Sequence, residues 1–226
     1  TWFMKTKRKY EFKSTEGLTT WLIRILRLSA FLYALSIVFS ALHLLIPYSV
    51  DDEFELFDGL YSITEIPILF LFLLSIVLFG IWIVQANKNF RSLGSRILSI
   101  SPGWALGHFF IPILNLWKPK TAMNELWLAS HNPTTWNGNP NEKSQVVDKW
   151  WGLWLASLAV SNSEMHYFNK AVTVEDYNKA MLIGIVASIC SILSCKFAVA
   201  LVDKISTMQT EIFDRKKSLF GNKSDS

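Results

Sequence analysis

Cysteine is scarce. The 226-residue chain holds two, Cys190 and Cys195, both inside an apolar run. At that separation they fall on different faces of a helix, which excludes a disulfide between them and offers no metal-ligand spacing. The four histidines, His43, His108, His131 and His166, are not paired at helix-ligand spacing either, so haem and metal binding are not expected. The chain also lacks a phosphate-cradling Gly-Lys-Ser/Thr loop and a nucleophile elbow. Glu125 and Glu164 are lone carboxylates, whereas acid–base work by a carboxylate pair needs two. These absences argue for a non-enzymatic protein without a cofactor. Charge is missing in places as well. Residues 28–46 and 66–86 carry none, and residues 47–65 contain acids but no Lys or Arg.

What is present points to a bilayer. Hydrophobic residues make up 51% of the chain, mean hydropathy is +0.28, and there are ten tryptophans. Trp favours the boundary between apolar and wet surroundings. Net charge is +4. The basic residues flank apolar runs, as the positive-inside rule predicts, so a nucleic-acid partner is not expected.

In chain order, residues 1–27 form a basic interfacial segment with Lys5, Lys7, Arg8, Lys9, Lys13, Arg24 and Arg27. The spacing predicts spans over about 28–46, 66–86, 150–168 and 180–202. Thr64 and Pro67 suit the start of the second span's helix, with residues 47–65 as an acidic loop in which Phe54, Leu56, Phe57, Leu60 and Tyr61 suit a short interfacial helix. Gly152, Ala156, Gly184 and Ser188 belong to small-residue stripes that suit close contact between the last two spans. The tail from 203 to 226 is polar and basic. Residues 28–202 thus read as one membrane domain.

Residues 101–131 stand apart. This segment is apolar, yet Pro102, Pro112 and Pro119 break it, and Gly103, Gly107, Trp104, Trp117 and Trp127 punctuate it. Proline removes a backbone donor and clashes with the preceding turn, so no single straight helix fits. Lipid tolerates such backbone where protein covers it, at the interface, or lining a cavity. The stretch from Trp104 to Trp117 is also too short to span. If it does not span, residues 86–149 place seven Lys/Arg on one side (Lys88, Arg91, Arg96, Lys118, Lys120, Lys143, Lys149), while the opposite loops hold only Lys170 and Lys179. A cytoplasmic re-entrant or interfacial helix–break–helix is expected, followed by an amphipathic helix opened by Pro119. Met123, Leu126 and Trp127 form the apolar face of that helix, with Asn124 and Glu125 turned away. Asn115 is expected to satisfy backbone freed at Pro112, and Glu125 to cap a helix or pair with Lys118 or Arg91. Trp150, Trp151 and Trp154 anchor the third span.

The fold class is therefore an all-α integral membrane protein. It has four transmembrane helices, a Pro-broken cytoplasmic segment, an amphipathic helix, and both termini cytoplasmic.

Several motifs carry a resemblance. They are Ala86-Asn87-Lys88-Asn89, Leu93-Gly94, Ser101-Pro102-Gly103-Trp104-Ala105-Leu106-Gly107, Phe110-Ile111-Pro112, Asn115-Leu116-Trp117-Lys118-Pro119, Glu125-Leu126-Trp127, and Trp150-Trp151. Over roughly residues 20–205 the chain resembles a bacterial multi-pass membrane family catalogued as domain of unknown function 4328. The resemblance implies an integral protein of the bacterial plasma (inner) membrane and supplies no activity. Expected partners are membrane lipid, a membrane-protein partner, or further copies of the chain. Concentrated rigid aromatics suit a docking segment. Broken helices near Asn115 also suit a small-solute carrier or channel acting as an oligomer. A membrane enzyme is the third alternative.

Overall fold

The computed structural model describes residues 10–45, 54–95, 98–131 and 144–221. Among these the chain is helical and contains no strand. It comprises α1 (Glu16–Leu45), α2 (Phe54–Ser92), α3 (Pro102–Gly107), single 3-10 turns at His108–Phe110 and Leu114–Leu116, α4 (Lys118–His131), α5 (Gln145–Phe168) and α6 (Val174–Gly221). Three helices are long and apolar enough to cross a membrane: Glu16–Leu45, Ile63–Ser92 and Val174–Leu219. In α5, Asp148, Lys149 and Glu164, together with Ser and Asn, dilute the apolar character.

One expectation needs correction. Helix α2 begins at Phe54 and runs through Pro67, so Thr64 and Pro67 lie inside a helix and do not start one. A proline forfeits one backbone bond, but the apolar residues Phe54, Phe57, Leu60 and Tyr61 already recur at helical spacing before it. The rest of the acidic loop, up to Glu53, and the polar loop over 132–143 lie outside the described residues.

The chain forms two compact units. One comprises Thr1–Trp21, Leu78–Val147 and Leu201–Ser226, the other Leu22–Val77 and Asp148–Ala200.

The second unit buries small polar side chains beside Leu22, Leu71 and Trp151, and its exposed surface is strongly apolar. On α1, Ser29, Ser36, Ser40 and His43 are buried, while Leu28, Phe31, Val38, Leu42 and Leu45 are exposed. On α6, Ser188 and Ser194 are buried, while Leu182, Val186, Ile189 and Leu193 are exposed. Water would penalise such a surface at about 25 cal/mol per Å² of apolar area, whereas hydrocarbon does not. Hydroxyls in this unit bond back onto their own helices. Ser29 donates to the Ile25 carbonyl at 2.9 Å, Ser157 to Trp154 at 2.8 Å and Ser191 to Ala187 at 3.0 Å. Such bonds let a hydroxyl sit in a helix without an unmet donor. Helix α6 opens on a reciprocal cap. The Thr173 amide donates to the Asp176 carboxylate and the Asp176 amide to Thr173 Oγ1, both at 3.2 Å.

The expected pairing of small-residue stripes holds only in part. A side chain at Gly184 would run into the Glu164 carboxylate of α5, so this glycine does permit close approach. Gly152 has nothing within 4 Å of where a Cβ would stand and is not in that contact.

The first unit is organised by the end of α2. Asn89 is fully buried. Its amide nitrogen donates to the Lys13 carbonyl at 2.8 Å, and its carbonyl accepts from the Lys13 amide at 3.0 Å. It thereby pairs with extended backbone as a neighbouring strand would. Its nitrogen also reaches Gln209 Oε1 at 3.3 Å, and Gln209 donates to the Ala86 carbonyl at 2.8 Å. Phe12 stacks on Phe213 at 4.1 Å between ring centroids, holding the N-terminal segment against α6. Deeper in the same unit, Trp82 Nε1 donates to Ser206 Oγ at 2.9 Å, and Thr19 Oγ1 shares a hydrogen bond with the same atom at 2.9 Å. Helix α2 ends on Gly94 at φ 87°, where glycine alone is unstrained. The Ser95 amide returns to the Phe90 carbonyl at 2.9 Å and the Gly94 amide to Arg91 at 3.1 Å, which satisfies the last carbonyls.

Two outcomes follow from this packing. Asn89→Asp puts an acceptor against the Lys13 and Gln209 oxygens. It is expected to lower stability by about 2–4 kcal/mol, read as the melting temperature of the detergent-solubilised protein. In the second unit, Gly152→Leu is expected to be tolerated and Gly184→Leu to lower the melting temperature sharply; equal behaviour of the two would contradict the packing.

Candidate functional site

The segment between α2 and α4 is held at its entrance by one peptide. Leu98 and Ile100 are buried. Arg91, in the last turn of α2, donates from one terminal nitrogen to the Leu98 carbonyl at 2.8 Å and the Ile100 carbonyl at 2.9 Å. Its Nε bonds Asn87 Oδ1 at 2.8 Å, and Asn87 Nδ2 adds a bond to the Ile100 carbonyl at 3.0 Å. From the other side Glu125 of α4 accepts the Ser99 hydroxyl, and the Ile100 amide at 3.1 Å. The donors of Arg91 and the acceptors of Glu125 thus meet on opposite faces of residues 98–100 without touching each other. The expected pairing of Glu125 with Lys118 or Arg91 does not occur. An extended peptide needs both a donor and an acceptor, and each charged side chain supplies one of them.

From that anchor Ser101 stands in the extended region and Pro102 opens α3 as its first residue. The helix lasts six residues. A 3-10 turn follows, then Ile111 at φ −102° and ψ 110°, the conformation that a following proline imposes. After Pro112 the chain makes only another 3-10 turn, so the second half-helix expected around Asn115 is a single turn. The Asn115 amide donates to the Ile111 carbonyl at 2.8 Å. Its side-chain Oδ1 is buried and without a hydrogen-bond partner among the described residues, so the kink bond expected of it is not made.

The segment docks through small contacts. Gly80 on α2 leaves room that Leu106 fills, and Phe79 meets the Phe109 ring edge-on at 6.4 Å. Pro102, Ala105, His108 and Pro119 are buried. The remaining apolar residues point outward: Trp104 is 54% exposed, Phe110 72%, Ile113 69%, Leu116 54% and Trp117 45%. Gly103 and Pro112 are exposed beside them, and Gly107 lies against the Trp104 ring. Lys118 and Lys120 follow directly.

Helix α4 buries Met123 and Leu126 as expected, with Trp127 half-buried against His131 at 4.8 Å. Asn124 and Glu125 are half-buried and bonded to other backbone; Asn124 accepts the Ser144 amide at 3.2 Å. Trp150 and Trp151 belong to the other unit, where both are buried. Their rings lie 5.3 Å apart and Trp151 stacks on Trp154 at 4.7 Å, which makes them packing residues there. Sequence reasoning named Asn87 and Arg91 but not their grip on Ile100, which their place in a basic helix exit hid. It also left Phe110, Ile113 and Leu116 out of the candidate site, because their outward direction depends on the 3-10 turns.

His108 packs against Trp104 at 5.2 Å, with its Nδ1 buried and unpartnered among the described residues. Burial, and then the charge of Lys118, hold its pKa below the usual histidine value. An unfolded histidine titrates near 6.5, so below about that pH the unfolded chain takes up the proton first and the fold loses stability. His108→Phe is expected to flatten the fall of melting temperature below about pH 6.5 relative to wild type, and to leave it unchanged above.

No curated protein and no solved structure matches the chain. A family profile described as "Domain of unknown function (DUF4328)" matches residues 49–207. That is 159 of the 226 residues, and the chain accordingly belongs to the DUF4328 family.

Proposed function

We propose that the chain is a non-enzymatic multi-pass protein of a bacterial plasma membrane, and that residues 102–117 dock membrane lipid from the cytoplasmic side. The carrying observation is the outward row Trp104, Phe110, Ile113, Leu116 and Trp117, followed by Lys118 and Lys120. Aromatic and aliphatic side chains beside lysines match the boundary between acyl chains and anionic headgroups. The short helix and 3-10 turns leave backbone groups that hydrocarbon would not satisfy, so the segment lies interfacially or re-enters shallowly and does not cross. In this reading α5 supplies a fourth span, its hydroxyls bonded back to its own carbonyls. Seven Lys/Arg over residues 86–149 hold that side, and both termini, in the cytoplasm.

The buried serines of α1 and α6 support a second reading, a small-solute carrier or channel, for which four spans would need to oligomerise.

Single-cysteine variants at Ile113, Ser49 and Ser144, in a background with Cys190 and Cys195 replaced by alanine, test the first reading. A fluorophore on position 113 in nanodiscs should be quenched by lipid carrying a shallow spin label and spared by aqueous iodide. An impermeant maleimide in intact cells should label position 49 and not 144. Full iodide access at position 113, or reversed labelling, would overturn the reading.

A further inference from the structure

The second unit holds a half-buried carboxyl. Glu65 is the third residue of the candidate span Ile63–Ser92, and Ser36 of α1 donates to its Oε1 at 3.3 Å. Ser36 is the ninth of the nineteen uncharged residues Leu28–Ile46, so the contact falls halfway along the first apolar run. One turn back on the same face stands Tyr33, with Ser191 and Cys195 of α6 and Glu65 near its hydroxyl. Helix α1 therefore sets a hydroxyl on the α2 carboxyl halfway along its own apolar run, with α6 packed beside Tyr33. Among the described residues no ion pair to Glu65 occurs; its hydrogen-bond partner is Ser36.

We propose that Glu65 is a proton-binding site within the membrane. A carboxylate in hydrocarbon is costly unless it is paired with a cation or neutralised by a proton, and ionisable groups at such depth mark ion and proton sites. The surroundings fit exchange. A hydroxyl donates to the ionised carboxylate and accepts from the protonated acid, so Ser36 satisfies both states, as a lysine or arginine could not. The step forms one O–H bond on a Glu65 carboxylate oxygen and breaks one O–H bond of a hydronium ion, which leaves as water. The titratable neighbours are Tyr33 from α1 and, beyond it, Cys195 from α6. This site is independent of the docking segment.

Lipophilic dicyclohexylcarbodiimide adds to protonated carboxyls in apolar surroundings. The full chain in lipid nanodiscs, read by intact and peptide mass spectrometry, should acquire an adduct on Glu65, and Glu65→Gln should lack it. The labelling rate should fall about tenfold per pH unit above its midpoint, as for one proton. Sodium at constant ionic strength should not protect. Ser36→Ala removes a donor to the ionised form and should move the midpoint to higher pH. An unlabelled Glu65, or a rate indifferent to pH, would overturn the proposal. Protection by sodium would overturn it in favour of a cation site. Wild type alone decides these arms if Ser36→Ala does not fold.

Discussion

Helix α2 must end, and everything around residues 98–131 depends on how its last polar groups are met. A helix terminus leaves carbonyls without donors, and a chain turning beside a membrane has little water with which to satisfy them. Here Gly94 closes the helix, while Asn87, Asn89 and Arg91 convert its last turn into a clamp for other backbone. Asn89 holds Lys13, and Arg91 with Asn87 hold Ile100. Each bond is modest net, about 1 kcal/mol or somewhat more when charged. Leaving any of these buried groups unmet would cost more.

Because residues 98–100 are gripped from α2 and from Glu125 of α4, the start of α3 is set before the prolines act. Pro102 then begins a helix and Pro112 stops its continuation, each by the same loss of a donor at a different position. The result is a short, irregular segment whose inner side meets Gly80 and Phe79 and whose outer side is apolar. Rigid backbone and unburied aromatics in one place are costly in water and natural at a lipid boundary.

The second unit shows the same economy with polarity reversed. Serines and His43 occupy the buried face of α1, and leucines and phenylalanine its outside. Between helices in lipid, dispersion and hydrogen bonds replace the hydrophobic effect, so small and hydroxylated residues belong inside. Among those hydroxyls stands one carboxyl, Glu65, on Ser36.

Sequence alone determined the helical class, three apolar helices and the family, because helix period, run length and charge distribution are local properties of the chain. The helix stop at Gly94 and the extended Ile111 before Pro112 follow from single-residue sterics. The start of α2 was missed because Pro67 was weighed as a helix opener, although apolar residues at helical spacing preceded it. The partners of Asn89, Arg91 and Glu125 were not legible: a polar side chain in sequence declares what it can donate or accept, not which distant peptide will stand opposite. Tertiary structure alone decided that Gly184 and not Gly152 lies in a helix contact, that the Asn115 side-chain oxygen has no partner among the described residues, and that Glu65 meets Ser36 halfway along the apolar run of α1. Those outcomes turn on how helices far apart in sequence are rotated and slid against one another, which no local period encodes.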